Sequence, residues 1–274
     1  MIIDSHQHFW KYDPVRDSWI NEEMKILKRD FFPNDLAPIL SENKIEGSIA
    51  VQADQSETET LFLLALANQN LFIKGIVGWV DLCSDKIAER LEYFSQFKII
   101  KGFRHIIQSE ASGFMKQPNF QNGIRQLEKH NFTYDILIYP HQLQEAIEFV
   151  KEFPNQKFVV DHLAKPVIKQ NEFASWSKRI AQLASFNNVF CKLSGFTTEA
   201  DWKNWKPKDF TRYFDFALEC FGASRLMYGS DWPVCLLASS YDQQLNLVGT
   251  FVSKLSVTEK ERIMGGNAIK FYKL

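Results

Sequence analysis

Turn-forming residues are scarce in this 274-residue sequence, which holds 12 glycines and 9 prolines that nowhere gather with serine into a linker. Without a composition break or a charge run there is no boundary to divide it, so one domain over residues 1–274 is expected. Cysteine is equally sparse: Cys83, Cys191, Cys220 and Cys235 have no paired spacing and lie in or near apolar segments. That excludes a disulfide framework or a cysteine zinc site and suits free thiols of a cytosolic protein. An excess of either charge is missing too, with 32 Lys+Arg against 33 Asp+Glu, interspersed, which argues against a nucleic-acid or anionic-membrane partner. No apolar run is long enough to span a bilayer and no basic leader precedes the first strand, so a cytoplasmic protein is expected. What remains, 45% hydrophobic and 24% charged, suits a soluble globular chain with a large core.

Short apolar runs alternate with amphipathic ones along the whole length. Strands are expected at the first residues and over 47–51, 72–80, 99–107, 132–139, 157–161, 189–193 and 226–229. Helices follow over 34–43, 56–70, 85–97, 120–129, 142–153, 173–186, 209–221 and 243–255. Asn34 or Asp35 would cap the first and a Ser56–Glu59 capping box the second, while a Thr258–Glu261 box would open a last helix reaching the C-terminus. An aromatic loop fills 11–33. Strand-helix pairs in this number and length match a (β/α)₈ TIM barrel. The first turn lacks the glycine-rich phosphate loop that would favour a doubly wound sheet.

A barrel places its chemistry at the carboxyl ends of its strands. There lie His6 and His8, two apart on strand one and hence on one face, Arg104 and His105 on strand four, His162 after strand six and Asp231 after strand eight. Paired imidazoles can hold a metal, move a proton or orient an oxygen. Arg104 brings a fixed fork of donors, or simply makes a salt bridge within the barrel; Asp231 is a candidate base, or an N-cap before the following proline. Lys192 sits mid-strand between Cys191 and Leu193, where a charge needs a polar mouth or a partner. Lys165 is undecided, His130 closes a helix, and His141 belongs to the rim. Trp10, Trp19, Trp202, Trp205 and Trp232 fall in functional-face loops, where they either stack on a sugar or seal the loops.

Five motifs together carry a resemblance: Asp4-Ser5-His6-Gln7-His8, Gly102-Phe103-Arg104-His105, Asp161-His162-Leu163-Ala164-Lys165-Pro166, Lys192-Leu193-Ser194-Gly195 and Gly229-Ser230-Asp231-Trp232-Pro233. In this order they resemble the amidohydrolase superfamily, and within it the lactonase branch of sugar lactonases and 2-pyrone-4,6-dicarboxylate lactonase. The resemblance implies a carboxylic ester hydrolase of carbohydrate metabolism. Asp231 would take a proton from water and return it to the leaving alkoxide, His162 and Arg104 would join it in catalysis, and His6, His8, His105, Lys192 and Trp232 would bind substrate. Unlike binuclear members, strand four has no lysine to carboxylate and strand five no histidine. One Zn²⁺ or other divalent ion on His6, His8 and Asp231 is conceivable, with no required cofactor the leading expectation. Only one arginine, Arg104, falls within the motifs, which favours a neutral aldonic lactone of a 6-deoxy sugar over a dicarboxylate. The rivals are a metal-dependent decarboxylase of aromatic acids and a binding protein without catalysis. A homo-oligomer is left open.

Overall fold

The computed structural model describes all residues, 1–274. Eight parallel strands pair in sequence order: β1 (Ile3–Gln7), β2 (Gly47–Val51), β3 (Ile73–Gly78), β4 (Ile100–Ile106), β5 (Thr133–Leu137), β6 (Phe158–Val160), β7 (Val189–Leu193) and β8 (Leu226–Tyr228). The ring closes between β8 and β1 where Ser5 Oγ donates to the Tyr228 carbonyl (2.6 Å) and Asp231 N–H to that of His6 (2.8 Å). Asp4 reinforces the seam by accepting from the Ser230 amide and hydroxyl and from Tyr241. The helices α1 (Pro33–Glu42), α2 (Glu57–Gln69), α3 (Ile87–Ser95), α4 (Pro118–Lys129), α5 (Leu143–Lys151), α6 (Phe173–Ala184), α7 (Lys208–Phe221) and α8 (Tyr241–Val252) surround it, with α9 (Val257–Glu261) and α10 (Asn267–Tyr272) at the end. This is the expected (β/α)₈ barrel.

Alternation along each strand separates two apolar clusters. Outward residues such as Phe103, Tyr134 and Phe158 join a cluster of 66 buried residues beneath the helices. Inward ones, including Ile3, Ile49, Val77, Val159 and Met227, form a floor of nine with Ala268, Phe271 and Tyr272 of α10, which plugs the barrel. Ile3 and His6 both point inward although three apart, because the β1–β2 register shifts between Asp4 and Gln7.

Four local expectations are corrected. Ser56 caps α2 by taking the Glu59 N–H (3.1 Å), but the Glu59 carboxylate turns to the Ala53 N–H, so the reciprocal half of the box is absent. Helix α1 begins at Pro33 after Phe32, whose N–H is taken by the Asp35 carboxylate (2.9 Å), so Asp35 acts from inside the first turn. The last capping box is Ser256–Glu259, with amide and side-chain bonds in both directions, not Thr258–Glu261. The final helix is broken by a π turn over Arg262–Gly266, where a Cβ on Gly265 would lie 2.3 Å from the Met1 carbonyl oxygen; glycine lets the terminus pass that close. The aromatic loop also contains a short helical turn, Glu22–Leu27.

Candidate active site

Strand β1 delivers His6 and His8 to one point, their Nε2 atoms 3.1 Å apart. The Val51 carbonyl lies 2.8 Å from His8 Nδ1 and must accept, so that nitrogen carries a proton. Asp231 stands opposite, in left-handed backbone (φ 58°), with Oδ1 3.4 Å from His8 Nε2, 3.7 Å from His6 Nε2 and 3.8 Å from His162 Nε2. Its carboxylate caps no helix; only its carbonyl takes the Cys235 N–H (2.8 Å).

His162 reaches this point through an unusual turn. Residues His162, Leu163, Ala164 and Lys165 all have positive φ, between 49° and 56°, each costing about 1–2 kcal/mol in a chain of L-residues. Its ring is held by Ser194 Oγ at 2.8 Å from Nδ1, and a Cβ on Gly195 (φ 59°) would lie 2.4 Å from that nitrogen. Burial lowers the His162 pKa to about 4, and burial likewise lowers that of His6, so both imidazoles are neutral at physiological pH. Asp231 is as deeply buried, which resists its charge, yet His162, the His8 hydrogen bond and His6 hold its carboxyl below the ordinary range.

Beneath the histidines lies a tier of buried charge. Lys192 Nζ is bonded to Asp135 Oδ2 and lies 3.0 Å from Asp161 Oδ1 and 3.1 Å from His6 Nδ1. Arg104 donates to Asp161 Oδ2 (3.0 Å) and to the Gln52 carbonyl, so the salt bridge within the barrel is what it makes, with Nη1 also 3.3 Å from His6 Nε2. Burial opposes the Asp161 charge, but Lys192, His6 and Arg104 keep that carboxyl well below its usual value. Tyr272 of α10 donates to Asp135 (2.9 Å). Asp135 and Asp161 are the members that sequence reasoning missed. The signal was present: a charge in mid-strand needs a partner, and Asp135 stands beside Arg104 in the β4–β5 register.

Three expected substrate contacts are not brought in: Lys192, fully buried, is taken up by Asp135 and Asp161 beneath the histidines, and His105 and Trp232 face away. His105 alternates with Arg104 and faces outward, stacked on Phe114 at 4.8 Å and paired with Glu110 at 2.8 Å. The Trp232 indole is 1% exposed and packs edge-on against Phe31 and Phe9. Trp10, Trp202 and Trp205 donate to the loop carbonyls of Arg29, Thr198 and Ala238, so they seal loops; Trp19 is left exposed. Lys165 pairs with Glu199 at 3.2 Å. His130 caps α4 and His141 is exposed on the rim.

His6, His8 and Asp231 suit a single divalent ion. Their donor atoms, 3.1 to 3.7 Å apart, approximate the ~3.4 Å edge of a tetrahedron with metal bonds near 2 Å, leaving one position open. His6, Asp161 and His162 form a second, overlapping group.

Imidazoles and one carboxylate converge at the carboxyl ends of eight parallel strands, at the mouth of a (β/α)₈ barrel. The chain belongs to the amidohydrolase family, whose model matches residues 3–274. It is 39% identical to an L-fucono-1,5-lactonase of Burkholderia multivorans, over 99% of this chain and 96% of that protein. It is 32% identical to an L-fucono-1,5-lactonase of Burkholderia ambifaria, over 99% and 95%. A zinc-bound crystal structure of an amidohydrolase from Burkholderia multivorans superposes with a TM-score of 0.97 at 38% identity, covering 100% of this chain and 99% of that one. No helix here is long and apolar enough to cross a membrane.

Proposed function

We propose that the protein hydrolyses a neutral sugar lactone, a 6-deoxy aldonolactone such as L-fuconolactone or L-rhamnonolactone. The observation that carries this reading is Asp231, an ionised carboxylate facing the Nε2 atoms of His6, His8 and His162 at the barrel mouth. The lactonases named among its relatives support the substrate class. Asp231 takes one proton from a water whose oxygen bonds to the lactone carbonyl carbon. When the bond from that carbon to the ring oxygen breaks, the same proton passes to the departing alkoxide, leaving a hydroxy acid. With Ser194 Oγ donating to Nδ1 (2.8 Å), the His162 ring would present Nε2–H to the oxyanion.

A divalent ion, when bound by His6, His8 and Asp231, would supply Lewis-acid polarisation of the carbonyl. We propose that none is required, since the base and the oxyanion donor are both side chains of the chain itself. Arg104 favours the neutral substrate, because it is buried and its two terminal nitrogens already bond Asp161 and the Gln52 carbonyl, and it is the one arginine of the motifs. The decarboxylase alternative lacks support on β5, which offers Asp135, bound to Lys192, in place of a histidine. Free thiols at all four cysteines accord with a cytoplasmic location.

The test is acid release from aldono-1,4- and 1,5-lactones and a pyrone dicarboxylate, with and without chelator. Hydrolysis of a 6-deoxy sugar lactone that survives chelation is expected. Activity lost to the chelator and restored by zinc would overturn the metal-free reading. Turnover of the dicarboxylate alone would overturn the substrate assignment.

A further inference from the structure

Four tryptophans use the indole N–H on a main-chain carbonyl: Trp10 on Arg29, Trp176 on Leu163, Trp202 on Thr198 and Trp205 on Ala238. Trp79 does not; its Nε1 is buried and has no partner in the protein. It follows directly on β3, and the alternation of that strand decides where it points. Ile76 lies in the outer layer and Val77 in the inner floor. A Cβ on Gly78 would lie 2.7 Å from Thr60 Cγ2 of α2, and Val80 is back in the outer layer. Trp79 therefore faces inward, above Val77. Its main chain is clamped there, since Thr60 Oγ1 accepts its N–H and donates to its carbonyl, both at 2.7 Å. The β3–β4 register, Val77 with Gly102 and Gly78 with Phe103, continues to Trp79 beside Arg104, the level from which Arg104 reaches His6. With α10 plugging the far end, an inward residue that is partly exposed, as Trp79 is, can meet solvent only through the mouth. At the end of β2, fully buried Gln52 donates from Nε2 to the Arg104 carbonyl (3.2 Å) across the end of β3. That carbonyl can only accept, so the amide orientation is fixed and Oε1 is the atom left unpaired.

We propose that Trp79 is a substrate-binding residue, its indole N–H donating to a hydroxyl on the lactone ring. That hydroxyl in turn donates to Gln52 Oε1, so two unpaired atoms of opposite polarity, at the ends of neighbouring strands, are satisfied by one group. A carboxylate would satisfy only the donor and leave the acceptor facing negative charge. The indole also lays an apolar ring against the C–H groups of a sugar. The inference rests on the lactonase reading and gives the substrate a direction. Asp231 and His162 come from the ends of β8 and β6, whereas Trp79 and Gln52 come from those of β3 and β2, on the other side of the ring. The lactone carbonyl turns toward β6 and β8 and a hydroxyl-bearing carbon toward β2 and β3.

The first test needs no turnover. L-fucono-1,5-lactam, in which a ring N–H replaces the ring oxygen and resists hydrolysis, is titrated into ¹⁵N-labelled protein, with the Trp79 indole resonance assigned by its loss in Trp79→Phe. That indole proton should move downfield as the lactam binds. An unmoved resonance, whether the lactam binds elsewhere or not at all, would overturn the proposal. The second test is the ratio of kcat/KM on L-fucono-1,5-lactone to that on δ-valerolactone, which has a ring of the same size and no hydroxyls. Trp79→Phe keeps an apolar ring and removes the donor, so the ratio should fall about tenfold, the worth of one hydrogen bond between neutral groups. A ratio unchanged in the variant would overturn the proposal, since a merely structural loss lowers both rates together. If the unaltered protein opens neither lactone, it is the lactonase reading that fails, and the lactam titration decides this inference alone.

Discussion

The two faces of the barrel wall could hardly differ more. Outward, Tyr134 packs among Phe120, Phe149 and Phe158 in the large apolar layer; one residue later, Asp135 points inward to Lys192. The outer face buries apolar area, which dominates folding free energy at roughly 25 cal/mol per Å². Above its small apolar floor the inner face buries ion pairs, whose desolvation largely cancels their attraction, so they add little net stability. Stability and chemistry are thus carried by opposite sides of the same strands, and substitutions on the two sides should fail in different ways.

The largest effect should come from Asp231→Asn on the inner face. Removing the base is expected to lower kcat by about 10³-fold, within the usual span for a general base, while leaving the melting temperature unchanged or raised. Steady-state kinetics beside thermal unfolding checks both halves. An undiminished product yield would remove Asp231 from the mechanism. The converse is Leu127→Ala in α4, a fully buried outer-layer residue, expected to cost about 3 kcal/mol in denaturant unfolding. Its kcat, corrected for the folded fraction, should stay within about twofold. A tenfold loss there would show that outer packing sets the site after all.

Glu59 sharpens the comparison, being a carboxylate buried outside the inner tier without a lysine or arginine bonded to it. It accepts the Ala53 N–H (3.1 Å) and is 5% exposed; burial raises its pKa from 4.5 to about 7, which Arg16 only partly offsets. Between those values the folded chain keeps a proton that the unfolded chain has released, so this contribution is favourable below pH 4.5 and is lost as pH rises to 7. Glu59→Gln should flatten that decline by roughly 3 kcal/mol across the window. Parallel stability profiles for the two proteins would mean that the carboxylate is better solvated than its burial implies.

Strands β2 and β7 are legible to the residue because their apolar runs end abruptly in polar loops. The mouth is legible for the same reason: His6, His8, His162 and Asp231 stand where strands end, and the structure gathers them. Asp135 and Asp161 are less legible, because a mid-strand charge such as Lys192 calls for a counter-ion without indicating which strand supplies it. Nothing in Asp161-His162-Leu163-Ala164-Lys165 announces a left-handed turn, since it contains no glycine; the turn is imposed by packing, with Trp176 Nε1 donating to the Leu163 carbonyl (2.7 Å). The orientation of Trp232 is not legible either, because an aromatic in a mouth loop can face either way, and here Phe9 and Phe31 provide the apolar side.

The smallest expected effect discriminates most finely. Arg104 and His105 are adjacent in β4 and were both assigned to the site, but alternation allows only one of them to face it. His105 lies in the outer layer against Phe114 and Phe120, bonded to Glu110, a half-buried pair whose worth should not exceed about 1 kcal/mol. His105→Gln is therefore expected to leave kcat/KM within about twofold and to cost less than about 1 kcal/mol in unfolding, since glutamine keeps a donor for Glu110 and loses only the stacked ring. The decisive measurement is kcat/KM on the best lactone substrate. A loss beyond tenfold would mean that the end of β4 turns His105 into the mouth when substrate binds, and the division between inner and outer faces would then fail at the strand where it is most sharply drawn.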